Sequence, residues 1–224
     1  MNGRCFLALL FSLYILSGPL PVSAATLHVG RFSNGDLAGW TPETFRGKRQ
    51  TAYTLVQDEG RTVLRAESRQ AASGLMHRIE VYPKLYPVLR WSWKIDHTLK
   101  KENARTRDGD DFAARVYVIF PGTFFWQTRA INYVWSGKLP VGTAIPNAYT
   151  KNAMIVAVES GEQRVRQWVS EERNIAEDFR RLFGEEPPRL GGVAVMTDTD
   201  NTGEEAIAWY GDLELDTGSG RQAR

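Results

Sequence analysis

Cysteine is almost absent from this sequence, whose single cysteine is Cys5. Beyond the first few residues, the chain therefore has no disulfide, no cysteine nucleophile and no zinc–thiolate site. Histidine is scarce as well, and His28, His77 and His97 lack the spacing of metal ligands or of a catalytic motif. The sequence also contains neither a nucleophile-elbow serine motif nor a phosphate-binding glycine loop. No known catalytic signature marks the chain.

The sequence has no excess of charge of one sign and no long apolar segment. Its 28 lysine and arginine residues are balanced by 26 acidic residues. This balance argues against duplex nucleic acid as a partner, because such binding requires a concentrated basic face. The apolar run at residues 6–16 is shorter than the about 20 residues that span a bilayer. We therefore expect that the protein does not bind nucleic acid. We also expect that it is not an integral membrane protein after removal of the N-terminal signal described next.

The N-terminal residues have the three parts of a secretory signal. A single basic residue, Arg4, precedes the apolar run, and helix-breaking residues and small residues then lead to Ala24. We predict that residues 1–24 are a cleaved signal peptide and that the mature chain begins at Ala25. The alternative is an uncleaved anchor. A cleaved signal places the mature protein in the periplasm or outside the cell.

Short runs of β-branched and aromatic residues, separated by turn residues, predict a mostly β chain. Residues 88–96 and 111–120 alternate apolar and polar side chains with the period of a strand. We predict a single domain over residues 25–216 with a frayed tail at residues 217–224. Its fold class is an antiparallel β-sandwich of jelly-roll type. The side chains expected between the sheets include Trp91, Trp93, Phe112, Val116, Val118 and Trp209.

One short α-helix is predicted near residues 174–183, inserted between strands. Asn174 can cap its first turn, with Glu177 at the third position, and Ile175 and Phe179 belong to an apolar stripe. Gly184 can end the helix in a left-handed conformation.

The acidic loop at residues 198–203 resembles the start of a calcium-binding loop. Asp198 and Asp200 stand at alternate positions, and Gly203 is the sixth residue. The fifth and twelfth positions are Thr202 and Trp209, however, and the twelfth requires a bidentate glutamate. The alternative is an ordinary turn whose side chains bond their own backbone. A structural calcium is the one cofactor that the sequence leaves open.

Cationic and aromatic side chains in the middle of strands predict a ligand-binding surface. The alternation places Arg90 and Lys94 of one strand, and Arg115 and Tyr117 of the next, on the outward face of one sheet. Cations can bond to hydroxyl or carboxylate groups, and aromatic rings can stack on sugar rings. The predicted ligand-binding residues are Arg90, Lys94, Arg115, Tyr117, Tyr133 and Tyr210.

An alternative interpretation makes Arg115 structural. In it, Arg115 pairs with Asp110, Asp111 or Asp198 beneath a loop or the helix. Arginines that point inward and pair with a carboxylate are common in folded proteins, so both interpretations stay open here.

Several segments in fixed order carry a resemblance to a known family. They are residues 89–96, 109–118, 133–136, 172–184 and 194–202. With these segments the chain resembles the exported bacterial proteins grouped as domain of unknown function 3047. The resemblance covers nearly all of the predicted mature chain, and it implies export without implying an activity.

A looser resemblance concerns the two ends of the predicted domain. Residues 32–40 and 211–215 are similar to the first and last strands of jelly-roll carbohydrate-binding modules. In those modules an acid after the first aromatic residue and an aspartate of the last strand hold a structural calcium. Asp212 matches the aspartate, whereas Ser33 stands where the acid would be. Asp212 is therefore a third metal-ligand candidate implied by this resemblance.

Together these features predict an exported protein that binds a glycan or another polar envelope ligand without catalysis. Two alternatives remain at this point. One is a structural or interaction module of the cell envelope, which would show a large exposed apolar patch. The other is a polysaccharide-active lyase or hydrolase, since sandwich folds also host such enzymes.

Overall fold

The computed structural model describes residues 25–218. The predicted signal peptide at residues 1–24 and the last part of the predicted tail, residues 219–224, lie outside the described residues. In chain order the strands are β1 (Thr26–Gly30), β2 (Trp40–Thr44), β3 (Ala52–Asp58), β4 (Arg61–Arg69), β5 (Ala72–Val81), β6 (Val88–Ile95), β7 (Ala114–Phe120), β8 (Arg129–Ser136), β9 (Ala144–Pro146), β10 (Ala153–Ser160), β11 (Val169–Asn174), β12 (Leu190–Asp198) and β13 (Glu205–Asp216). The helix α1 is Ile175–Phe183, and short 3₁₀ turns lie at Phe32–Asn34, Arg107–Gly109 and Phe125–Gln127.

The strands form two sheets that pack face to face as a sandwich. The first sheet has the order β11-β6-β13-β4-β3, and β1 also pairs with β13. The second sheet has the order β2-β5-β12-β7-β8-β10-β9. The predicted β-sandwich is confirmed, with one departure from antiparallel pairing, because β8 and β10 run parallel. A parallel pair needs a crossover of about a dozen residues or more, and residues 137–152 supply it.

The main core lies between the two sheets, where the alternation of β6 and β7 directs their apolar side chains. Trp91, Trp93, Val116 and Val118 are buried there, as predicted. Trp91 stacks on Tyr133 of the opposite sheet, with ring centroids 5.4 Å apart. Contacts of this kind between large side chains join the sheets.

Two predicted core residues lie elsewhere. Trp209 is half-buried on the outer face of the first sheet, opposite Lys94, because its neighbour Tyr210 takes the inward position in β13. Phe112 is buried, but it belongs to a separate cluster outside the sandwich core. Since β7 begins only at Ala114, the strand alternation does not extend back to Phe112.

The separate cluster lies on the outer face of the second sheet. It consists of Ala104, Phe112, Val134, Ile145, Ile155 and Ala157. Three of these side chains come from β8 and β10, and the others come from β9 and from the segment between β6 and β7. This segment and the β8–β10 crossover therefore pack onto the sheet, and they help to shape the cleft described below.

The predicted helix is confirmed as α1. The Asn174 side chain accepts a hydrogen bond from the backbone N–H of Glu177 at 3.1 Å. Gly184 ends the helix with φ +73°, and its N–H donates to the Arg180 carbonyl. Ile175 and Phe179 are fully buried in the main core, so burial of the apolar stripe holds the helix in place. Within residues 25–218, no helix has the length and apolarity required to cross a membrane.

Candidate functional site

The structure separates the four residues that were predicted to share one outward face. Arg90 and Lys94 project from β6 in the first sheet, whereas Arg115 and Tyr117 project from β7 in the second. The two pairs therefore lie on opposite faces of the sandwich. The prediction of one shared surface is wrong because strands that follow one another in sequence belong to different sheets.

Tyr133 and Tyr210 are also wrongly predicted as ligand-binding residues. Both side chains are fully buried in the main core. The Tyr133 hydroxyl donates to Asp178 at 2.8 Å, and the Tyr210 hydroxyl donates to the Met196 carbonyl at 2.7 Å. Each polar tip thus has a partner inside the fold, as buried tyrosines usually do.

Arg90 and Lys94 form ion pairs on the outer face of the first sheet. Arg90 Nε lies 2.6 Å from a Glu172 carboxylate oxygen, and Lys94 Nζ lies 2.5 Å from an Asp58 carboxylate oxygen. The Lys94 ammonium also lies near two tryptophan rings, at 4.9 and 5.4 Å from their centroids. These contacts give both cationic side chains partners within the protein, so no ligand is needed to explain their position on the sheet.

A cleft of about 290 Å³ opens on the outer face of the second sheet. Its floor comes from β5, β7 and β12. Its walls come from the segment between β6 and β7, which contributes Asp110, and from the loops at residues 45–51, 147–152 and 199–204. We call it the aspartate cleft, and its defining residues are Phe45, Asp110, Arg115, Tyr149, Asp198 and Asp200.

Arg115 forms the base of the aspartate cleft and is only 2% exposed. Its Nε and Nη2 donate to the two carboxylate oxygens of Asp198, at 2.7 and 2.5 Å. Its remaining donors go to the side chain and carbonyl of Asp110, at 3.1 and 2.6 Å, and to the Tyr117 hydroxyl at 3.3 Å. All five donors of the guanidinium are therefore used, and the alternative prediction that Arg115 pairs with buried carboxylates is confirmed.

The carboxylates of the aspartate cleft are crowded and poorly solvated. Burial raises the pKa of Asp198 to about 7 against the opposing effect of Arg115, and the nearby Asp111 and Asp110 add to the increase. Burial also raises the pKa of Asp111, although the backbone N–H of Thr202 opposes the change. Burial of this kind disfavours the charged form of a carboxylate unless hydrogen-bond donors stabilise it.

Two of the three predicted metal ligands meet in this cleft. Asp198 and Asp200 lie with Asp111 so that one oxygen from each carboxylate falls within 4.8 Å of the others. Asp212 does not join them, because its carboxylate accepts the backbone N–H and the hydroxyl of Ser33, at 2.8 and 2.5 Å, beside the first sheet. Asp212 therefore lies apart from Asp198 and Asp200, in keeping with the two separate patterns that suggested these candidates.

The protein itself supplies donors to the acidic cluster. Arg115 donates to both oxygens of Asp198. The two oxygens of Asp111 accept the Asn201 side-chain amide and the Thr202 backbone N–H, at 3.1 and 2.6 Å. Asp200 pairs with Lys48. These contacts fit the alternative of a hydrogen-bonded turn, and they leave no carboxylate of the cluster without a protein donor.

Polar and aromatic side chains form the rim of the aspartate cleft. The Asn147 amide donates to Asp110 at 2.6 Å, and the Tyr149 hydroxyl lies 3.2 Å from the Asn201 side-chain oxygen, to which it donates. The rings of Phe45 and Tyr149 are 47% and 50% exposed, respectively. The rim thus combines fixed polar groups with accessible aromatic rings.

Most of these rim residues escaped the sequence-based prediction. Phe45, Asn147 and Tyr149 lie in loops, where no strand or helix period marks a side chain as inward or outward. One usable signal was the occurrence of Phe45 and Tyr149 within otherwise polar segments, because large aromatic residues on exposed loops are candidates for binding.

The fold and the cleft define a two-sheet β-sandwich protein with an acidic, aromatic-rimmed site on one outer face. Residues 38–214 match the family described as "Protein of unknown function (DUF3047)". The chain belongs to this family. No curated protein matches the chain.

Solved structures with a similar chain path include both binding modules and an enzyme. The family 30 carbohydrate-binding module of a Clostridium thermocellum cellulosomal cellulase has a TM-score of 0.49 at 8% identity, covering 87% of this chain and 98% of the module. A family 29 module from Piromyces equi has a TM-score of 0.40 at 10% identity, covering 88% and 93%. Endoglucanase Cel12A from Rhodothermus marinus has a TM-score of 0.41 at 11% identity, covering 86% and 98%.

Proposed function

We propose that this protein is exported and binds a neutral glycan in the aspartate cleft, without chemistry. The observation that carries the proposal is the pairing of two half-exposed rings, Phe45 and Tyr149, with a base of buried carboxylates. A sugar ring has apolar C–H faces and hydroxyl edges. Aromatic rings suit the faces, and fixed acceptors suit the hydroxyl donors.

The charges of the cleft favour a neutral ligand over an acidic one. Four carboxylates, those of Asp110, Asp111, Asp198 and Asp200, surround two cations. Both cations already have partners within the protein. Arg115 donates to Asp198 and Asp110, and Lys48 forms an ion pair with Asp200. An acidic sugar would add like charge to this surplus, which is unfavourable in a poorly solvated site.

The geometry of the carboxylates supports binding rather than hydrolysis. Glycoside hydrolysis uses two carboxyl groups on either side of the scissile bond, about 5 to 10 Å apart. In the cleft, one oxygen from each of Asp111, Asp198 and Asp200 lies within 4.8 Å of the others, so these groups form one cluster rather than two groups facing each other across a substrate. Arg115 also holds both oxygens of Asp198, which leaves that group no freedom to reach a substrate.

The proposal is tested by screening the purified protein on a glycan array that contains neutral and uronic-acid oligosaccharides. We expect neutral glycans to bind. The double variant Phe45→Ala with Tyr149→Ala should then weaken the best interaction by about tenfold or more, since each lost ring removes a stacking contact. Its melting temperature should stay close to that of the wild type because both rings are half-exposed.

Tyr82→Ala is the matched control for this experiment. Tyr82 is 54% exposed, and it follows the end of β5 that is opposite to Ala72 at the cleft. Its removal should leave glycan binding unchanged. The proposal fails if no glycan on the array binds, if the control weakens binding as much as the double variant, or if glycan is cleaved during incubation.

A further inference from the structure

Two exposed aromatic rings lie stacked outside the aspartate cleft, in the connection between β7 and β8. The rings of Phe124 and Trp126 are nearly parallel, with an angle of 2° between their planes and centroids 4.7 Å apart. Phe124 is 52% exposed and Trp126 is 58% exposed. Broad apolar rings held on a surface in this way mark an interaction site. We call this pair the aromatic platform.

The aromatic platform is connected to the cleft by one short loop. The Asn152 amide donates to the Trp126 carbonyl at 2.6 Å, and Tyr149 of the cleft rim precedes Asn152 by three residues. Even a fully extended chain spans at most about 11 Å over that interval. Along β7, Arg115 at the cleft and Phe120 before the platform are about 16 Å apart at the usual rise of a strand. The two aromatic surfaces are therefore neighbours.

The surface beside the platform carries hydrogen-bonding groups. A depression of about 460 Å³ is lined by Trp126, Gln127, Arg129, Asn152 and Glu185, among others. Arg129 Nε lies 2.8 Å from a Glu185 carboxylate oxygen, and both side chains are partly exposed. An indole ring beside amide and charged groups offers a stacking surface with donors and acceptors at its edge, which is the combination that a sugar ring requires.

We infer that the aromatic platform is a second subsite for the same glycan, so that the ligand is a sugar chain rather than a mono- or disaccharide. The inference rests on the proposed function of the cleft and extends it. From Arg115 at the cleft floor to Phe120 before the platform, β7 extends about 16 Å. That length exceeds one sugar ring, so a ligand that contacts both ends of the strand is a chain. A chain that contacts both subsites binds more tightly than one that contacts a single subsite, even if the affinity of each subsite is unchanged. The reason is that the second contact becomes intramolecular once the first has formed.

The test compares chain lengths by titration calorimetry with the whole purified protein. The probes are two-unit and six-unit oligomers of β-1,4-linked glucose, mannose and N-acetylglucosamine. We expect at least one hexamer to bind about tenfold or more tightly than its dimer. Trp126→Ala should bring the affinity for that hexamer down to the dimer level and leave the dimer affinity unchanged. Trp126→Phe keeps a ring and should retain most of the hexamer affinity.

The outcomes separate this inference from the proposed function. Equal affinity for dimers and hexamers, with both dependent on Tyr149, would leave the cleft proposal intact and overturn the second subsite. Loss of dimer affinity in Trp126→Ala would also overturn it, since the ring would then belong to the cleft. If the protein binds none of these oligomers, the second subsite is overturned. If, in addition, no glycan on the array binds, the proposal for the cleft fails too.

Discussion

Arg115 uses all five of its N–H donors within the fold, although it projects from the start of β7 on the outer face of the second sheet. Its position alone suggested a ligand contact. The surrounding loops bring Asp110 and Asp198 over it, and the resulting pair of salt bridges is almost fully buried. At the scale of single residues, the role of a buried arginine follows from its N–H donors. Unused donors favour a binding role, whereas an arginine such as Arg115, with every donor used inside the fold, has a structural one.

Arg115→Ala is therefore expected to destabilise the protein rather than to report on binding. Removing the guanidinium leaves Asp198 and Asp110 buried without a countercharge, which typically costs about 3 to 5 kcal/mol. Arg189→Ala removes an exposed pair with Glu80 and should cost no more than about 1 kcal/mol. Urea denaturation at neutral pH measures both variants. Equal losses in the two would contradict the structural role of Arg115.

The strand β11 lies at the edge of the first sheet, and among residues 25–218 it pairs only with β6. Its Glu171 is opposite Trp91, and one of its carboxyl oxygens is buried without a hydrogen-bond partner among the described residues. Burial raises the pKa of Glu171 to about 7, and the charge of Glu159 adds to the increase. An inward-pointing acid on an edge strand discourages pairing with other chains, and here it also makes the edge sensitive to pH.

The variant Glu171→Gln should show this sensitivity directly. The folded protein holds the proton up to about pH 7, as its pKa indicates, whereas an unfolded glutamate releases it near 4.5. Raising the pH through that window therefore weakens the wild-type fold. We expect Glu171→Gln to be about 1 to 3 kcal/mol more stable than wild type at pH 8 and nearly equal to it at pH 4.5.

Glu172→Gln is the matched control for the same strand. Glu172 points to the exposed outer face, where it pairs with Arg90, so this variant should keep the pH profile of the wild type. Thermal melts of the three proteins from pH 4.5 to 8 make the comparison. A Glu171→Gln profile parallel to that of the wild type would contradict the assignment.

At the scale of the whole molecule, local patterns predicted the elements but not their partners. The strands and the helix could be predicted because their signals act within a few residues. These signals are the alternation in β6 and β7, the Asn174 cap and the glycine at the helix end, Gly184. The sheet to which a strand belongs depends instead on pairings between distant segments, which local patterns do not show. The prediction therefore placed Arg90 and Arg115 on one face, although their strands belong to different sheets. The site was harder still to predict, since four connecting segments assemble it from residues far apart in the chain.

Export is the prediction that concerns the molecule as a whole. We propose that the chain is cleaved after Ala24, so that the mature protein starts at Ala25, immediately before β1. N-terminal sequencing of protein from periplasmic and extracellular fractions of the native host should give Ala25 as the first residue. Intact Met1, or protein confined to the membrane fraction, would reverse the proposal.

The pairing of β1 with β13 joins the two ends of the described chain, with Thr26 opposite Asp216. Among the described strands, β1 is the first to be made, and it therefore finds its partner only when β13, the last of them, has followed. Contacts between such distant segments form slowly, because the intervening chain must first be brought together. Until then β1 is an unpaired strand exposed to other chains. We therefore expect completion of the first sheet to be a late step in folding, because β1 cannot pair before β13 has been made.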